Sequence, residues 1–247
     1  NVITGISNES FEKEKEVMDM LNNGTIDGFI VAVAEETQSL KEFQHFKEII
    51  NSGTPIVMFD RVAENVSCDK VIVDDFESSI EATNHLLQLG SKNIALVSTI
   101  DNLSVGKLRA DGFKKAFKNK NSDYDEKLII LESNLDLFDS KLKELFTNKK
   151  IDAVFALDEH ASTMAMKFAI KKGIKIPEEL NIIGFADGVW SRRLTPSLST
   201  VSQHAPEIGA KAAELLIYKL NTKDEFYQPQ TVVIKTELRQ RESTRKL

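Results

Sequence analysis

The feature that most constrains this chain is a recurring unit: a short apolar run, then an amphipathic stretch, then a glycine. Residues 26–33 (IDGFIVAV) read as a buried strand, 39–51 as a helix that Gly53 stops, and 55–59 (PIVMF) as the next strand. The unit then recurs. A helix beginning near Asp74 carries Phe76, Ile80, Thr83 and Leu87 on one face, ends at Gly90 and leads into the strand 93–97. Runs 128–131 and 151–156 read as strands flanking a helix over 136–148. Ala161, Met164, Ala165, Phe168 and Ala169 then fall on one helical face ahead of Gly173. A strand at 181–185 follows, and a last helix aligns Ile208, Ala212, Leu215, Leu216 and Leu220. Strands that are apolar on both faces and separated by helices predict parallel sheets covered on both sides, a doubly wound α/β class. There are more strand–helix units than one small sheet needs, which predicts two similar subdomains.

Composition narrows the function classes. The 247 residues hold 32 Lys and Arg against 38 Asp and Glu, a net charge of -6 and the wrong sign for a surface that tracks nucleic-acid phosphates. Cys68, the single cysteine, rules out an intrachain disulfide, and windows such as 26–34 are far too short to span a bilayer. A cytosolic protein with no membrane partner is expected. No charged region followed by an apolar stretch opens the chain.

No glycine-rich nucleotide loop, nucleophile elbow or metal-spaced histidine pair is present. His45, His85, His160 and His204 read as helix-surface or cap residues, and no cofactor or metal is expected. The pairs Asp74–Asp75 and Asp158–Glu159 stand where strands give way to helices. They read first as N-caps, Asp74 with Glu77 forming a capping box, and only second as a catalytic carboxylate pair. Their position still matters, because ligands of open parallel sheets bind beyond the carboxyl ends of the strands. Asp60, Arg61, Asp74, Asp75, Asp158, Ala186 and Asp187 all occupy such positions. Their carboxylates and guanidinium are groups that hydrogen-bond hydroxyls in pairs, which suits a polyol or sugar.

Taken in order, six runs carry a resemblance. They are PIVMFDR at 55–61, HLLQLG at 85–90 leading into Ile94 and Ala95, RADGF at 109–113, IPEELNIIGF at 176–185, TPSLSTVSQ at 195–203 and ELRQREST at 237–244. In order and spacing the chain resembles the lactose/galactose-repressor (LacI/GalR) family of transcriptional regulators along essentially its whole length. The resemblance implies a periplasmic-binding-protein type I core of two doubly wound parallel-sheet subdomains joined by three crossovers. These would be residues 1–73 plus 202–230, and residues 74–201 plus 231–247. It further implies that a first strand and helix, and before them a helix-turn-helix head, precede the strand that residues 1–5 resemble.

By the same resemblance, a small polar effector (a sugar, uronic acid or sugar phosphate) binds between the subdomains, the chain forms a homodimer, and operator DNA is reached only through the head. Arg109, three positions before Gly112, matches the family's ligand-clamping arginine; a salt bridge on a helix is the competing reading. Asp60 matches a cleft residue, with a strand-end cap as the alternative, while Val73 and the stretch 133–135 match positions of apolar contact. Asp158 and Asp187 complete the expected ligand set. Two departures stand out: Ala186 replaces an Asp that many members place after the Gly-aromatic pair, and Leu157 replaces a polar residue before the Asp at the next helix. A one-residue offset at a strand end turns a side chain to another direction. Trp190, Arg192 and Arg193 are further candidates, the arginine pair suiting an acidic sugar or a phosphate, with a solvated surface loop as the alternative. The expected function is the ligand-sensing core of a regulator rather than an enzyme. The alternative is a periplasmic sugar-binding protein of a transport system, which shares the fold.

Overall fold

The computed structural model describes residues 1–185, 187–222 and 226–246. In chain order the elements are α1 (Phe11–Leu21), β1 (Phe29–Val31), α2 (Glu35–Leu40), α3 (Gln44–Asn51), β2 (Ile56–Phe59), β3 (Asp69–Val73), α4 (Asp75–Gln88), β4 (Ile94–Ser98) and α5 (Ser104–Asn119). They continue with β5 (Ile129–Leu131), α6 (Leu135–Asn148), β6 (Ala153–Ala156), α7 (Glu159–Lys171), β7 (Asn181–Gly184), α8 (Val189–Arg193), β8 (Ser199–Ser202), α9 (Ala205–Asn221), β9 (Thr231–Ile234) and β10 (Glu237–Arg239). The chain forms two units, Asn1–Val73 with His204–Ile234, and Asp74–Gln203 with Lys235–Leu247.

In the first unit the strands run parallel in the order β1-β2-β3-β9. The period-two alternation of a strand sorts β2 between two cores. Ile56 and Met58 pack with Met18, Phe46 and Ile49 from α1 and α3, whereas Val57 packs with Val71, Ile208, Ala212 and Leu215 toward α9. Both faces are thus covered, as a parallel sheet requires. One buried carboxylate ties this unit's helices together: Glu14 accepts from the Ala34 amide at 2.7 Å, the Thr37 hydroxyl at 2.7 Å and His45 Nε2 at 3.1 Å.

The second unit has a six-stranded sheet in the order β10-β8-β7-β6-β4-β5, with β10 antiparallel to β8 and the rest parallel. Alternation again divides the strands. Ala95, Val97, Val154, Ala156 and Ile182 face α6 and α7; Ile94, Leu96, Phe155 and Ile183 face α4 and α5 through Leu86, Phe113 and Phe117. The carboxyl-terminal segment locks β7 to β8. Ser243 Oγ donates to the Ile182 carbonyl and accepts from the Ser199 amide, while the Ser243 main chain bonds Ile182 and Ser197.

Several sequence expectations change. The helix expected over 39–51 is two helices, because Lys41 takes a left-handed φ of +57° and closes α2 by donating its backbone N–H to the Thr37 carbonyl. The strand expected over 26–33 shortens to β1. Residues 1–5 pair with no strand among the described residues, and Val2, Ile3 and Ile6 are exposed. The subdomain boundary expected at 230 falls after Ile234, because β9 pairs in parallel with β3 and so belongs to the first unit. The boundary expected at 201 falls after Gln203. Asp74 does not cap α4; its carboxylate turns to the Thr236 amide at 2.8 Å and Lys235 Nζ at 3.0 Å. His45 and His85 are buried rather than on helix surfaces.

Candidate functional site

The site in the second unit begins with a close helix contact. A Cβ on Gly112 would stand 2.4 Å from the Phe76 carbonyl oxygen and 2.7 Å from Ser79 Cβ, so only glycine lets α5 approach α4 this closely. Ser79 Oγ closes the contact by donating to the Arg109 carbonyl. One turn earlier on α5, Arg109 then reaches across the sheet's edge. Its Nε donates to Asp75 Oδ1 at 2.7 Å and its Nη1 to the Leu157 carbonyl at 2.8 Å, and the guanidinium carbon lies 3.7 Å above the Phe185 ring centroid. Leu157 and Phe185 directly follow β6 and β7, which puts the guanidinium at the carboxyl ends of the strands. Nη2 has no hydrogen-bond partner among the described residues. Planar, permanently charged and fixed on three sides, Arg109 presents one donor nitrogen in a set direction.

The other expected ligand residues of this unit are engaged by the protein itself. Asp158 caps α7 by accepting from the Ala161 amide at 2.8 Å, and it also accepts from the Thr99 amide at 2.7 Å and hydroxyl at 2.9 Å and from Ser98 Oγ at 3.3 Å. One of these four donors is the α7 cap and the other three come from the loop after β4 and its last residue, so the carboxylate is fully engaged within the unit. Asp187 accepts from Arg239, Arg241, Thr200 and Ser191. Burial pushes its pKa up. The hydrogen bonds from Arg241 and Thr200 and the charges of Arg241 and Arg239 outweigh that and lower it from 3.8 to about 2. Leu157 is fully buried, and its amide bonds the Val97 carbonyl at 2.9 Å. Ala186 lies outside the described residues. Trp190, Arg192 and Arg193 stand on α8 rather than in a loop, all three exposed, and neither arginine forms an ion pair among the described residues.

In the first unit, Asp60 follows β2 with a φ of +56°, its amide bonded to Val71 and its half-buried carboxylate without a hydrogen bond among the described residues. A strand-end turn of this kind leaves the carboxylate available. Arg61 is engaged in a two-pronged bond to Glu9 at 2.6 and 3.0 Å. Burial raises the Glu9 pKa, but that bond and the Glu35 amide prevail and lower it. Val73 is buried in the core with Val57 and Ile208. Among the described residues no group of three or more His, Cys, Asp or Glu is placed to hold a metal, and no helix is long and apolar enough to cross a membrane.

Sequence reasoning had Asp75 only as one of two carboxylates after β3, not as the partner of Arg109, and it did not connect Asp187 to Arg239 of β10 or to Arg241 just beyond it.

Residues 83–244 match the family model described as the periplasmic binding protein-like domain. The chain belongs to that family. It is 30% identical over 201 residues to the HTH-type transcriptional regulator DegA of Bacillus subtilis (strain 168), covering 81% of this chain and 59% of DegA. It is 28% identical over 241 residues to the HTH-type transcriptional repressor PurR of Actinobacillus pleuropneumoniae serotype 3 (strain JL03), covering 96% of this chain and 69% of that repressor. The solved structure of a LacI family transcriptional regulator from Enterococcus faecium with bound ribose superposes with a TM-score of 0.81 at 25% identity, over 94% of this chain and 85% of that one. The fold is that of the effector domains of LacI-family regulators, as its sequence runs implied. The chain thus spans about six-tenths of DegA and about seven-tenths of PurR.

Proposed function

We propose that this chain is the ligand-sensing and dimerising core of a cytoplasmic transcriptional regulator. In that reading a small polar effector, a sugar or sugar derivative, binds at the carboxyl ends of the strands. Its binding controls how a DNA-reading head elsewhere in the longer protein holds its operator. The observation that carries the proposal is Arg109: an arginine buried at the carboxyl edge of the sheet, fixed by Asp75, Leu157 and Phe185, with Nη2 left to donate. In the first unit the half-buried carboxylate of Asp60, without a hydrogen bond among the described residues, is a further candidate acceptor for a hydroxyl. Helix-turn-helix regulators among the relatives and the ribose bound by one of them support the reading. Those relatives also favour binding over catalysis.

A thermal-shift screen of ribose, other sugars, uronates and sugar phosphates on the 247-residue chain tests it. A compound that binds only the folded state at about 100 times its Kd stabilises by roughly 2.7 kcal/mol and raises the melting temperature. The Arg109→Lys variant keeps a cation against Asp75 but loses the fork. A charged hydrogen bond contributes roughly 1.5–3 kcal/mol, so the variant's affinity should fall about tenfold or more. An affinity within about twofold of the parent would place the effector elsewhere.

A further inference from the structure

We infer that Asp75 sets the charge preference of the effector site: by neutralising Arg109 it makes the site favour an uncharged carbohydrate over a uronate or a sugar phosphate. This rests on the effector reading given above. Arginine at the mouth of a small-molecule site ordinarily argues for an anionic ligand, because its fork matches carboxylate and phosphate. Here the matching anion is already part of the protein. Asp75 Oδ1 stands 2.7 Å from Nε, and the two side chains are 3% and 4% exposed, so solvent screens the pair poorly. The Leu157 carbonyl takes Nη1 and the Phe185 ring covers the face. A ligand approaching Nη2 therefore meets the donor of a neutral pair.

The second carboxylate at this edge strengthens the bias. Asp158, 8% exposed, is held by hydroxyls and amides and forms no ion pair among the described residues. Asp158 thus adds a second carboxylate after β6, beside the Leu157 carbonyl that Arg109 engages, and an incoming anion finds no unpaired cation there among the described residues. The cations elsewhere in the unit do not reverse this, since Arg239 and Arg241 are paired with Asp187, and Arg192 and Arg193 are exposed on α8, where solvent and salt screen them. A sugar hydroxyl accepts from Nη2 without bringing charge, and is the group this arrangement suits.

The test compares matched pairs on the 247-residue chain by calorimetric titration: ribose with ribose 5-phosphate, glucose with glucuronate, and galactose with galacturonate. Whichever pair responds, the neutral member should bind about tenfold or more tightly than its acid. Asp75→Asn keeps an acceptor for Nε and removes the charge, and should narrow that gap by about tenfold through tighter binding of the acid. Circular dichroism establishes that the variant is folded; if it is not, the ratio in the unaltered chain decides alone. An acid that binds the unaltered chain as tightly as its neutral partner overturns the inference and leaves the effector reading standing. So does an acid-to-neutral ratio that a folded Asp75→Asn variant leaves within about twofold. Silence from both members of every pair overturns the effector reading, and the inference with it.

Discussion

Arg109→Ala is expected to lower the free energy of unfolding by about 3–5 kcal/mol, because it removes one member of a buried ion pair. The Asp75 side chain is 3% exposed and would lose the guanidinium held against it, and the Leu157 carbonyl would lose its donor. The van der Waals contact over Phe185 goes as well. Urea unfolding followed by circular dichroism measures the loss. A double-mutant cycle separates the pair from the packing: Asp75→Ala should be comparably damaging, and the double variant should recover much of the single variant's loss, since no lone charge then remains buried. If Arg109→Ala costs less than about 1 kcal/mol, the pair is not the structural element described here.

The second large effect is expected at Asp187, where Arg239 of β10 and Arg241 just beyond it converge. Its pKa falls from 3.8 to about 2 in the folded chain, so the ionised form is favoured by folding. For a depressed carboxylate the stabilisation is fully present above the unfolded value, near pH 4, and is lost as pH falls through about 2. At about 1.4 kcal/mol per unit the shift corresponds to roughly 2–2.5 kcal/mol at neutral pH. Asp187→Asn should therefore destabilise the chain by about that amount at pH 7, and the difference from the parent should shrink as pH falls from about 4 toward 2. Urea melts across that range measure it. A difference that stays constant would mean that the charge of Asp187 is not what holds β10 and the start of α8 together.

How far the sequence foretold these arrangements depended on the distance over which each one acts. The strands β1, β2, β4, β5, β6 and β7 were legible because their apolar runs serve two cores at once. Asp158 was legible as a cap because capping is decided within three residues. Pairings across long separations were not. Asp75 meets Arg109 across 34 positions, and Asp187 meets Arg241 across 54. Nothing local to either carboxylate distinguishes a partner from a cap. The helix α1 escaped reading because its sequence, FEKEKEVMDML, is mostly charged and buries only Glu14 and Met18. In β9, three of the four residues are exposed or partly exposed, so the apolar signal of a central strand is absent. The break at Lys41 is a left-handed residue without glycine, which composition does not announce.

Under the proposed function, an effector held by this chain and an operator held by a DNA-reading head act on one conformational equilibrium. Couplings of this kind are typically about 1–3 kcal/mol, or roughly 5- to 150-fold in affinity, and linkage makes them reciprocal. Calorimetric titration of the whole regulator with a carbohydrate identified by thermal shift, once alone and once saturated with operator DNA, measures the coupling directly. The account predicts affinities that differ by about fivefold or more; equal affinities in the two titrations would contradict it.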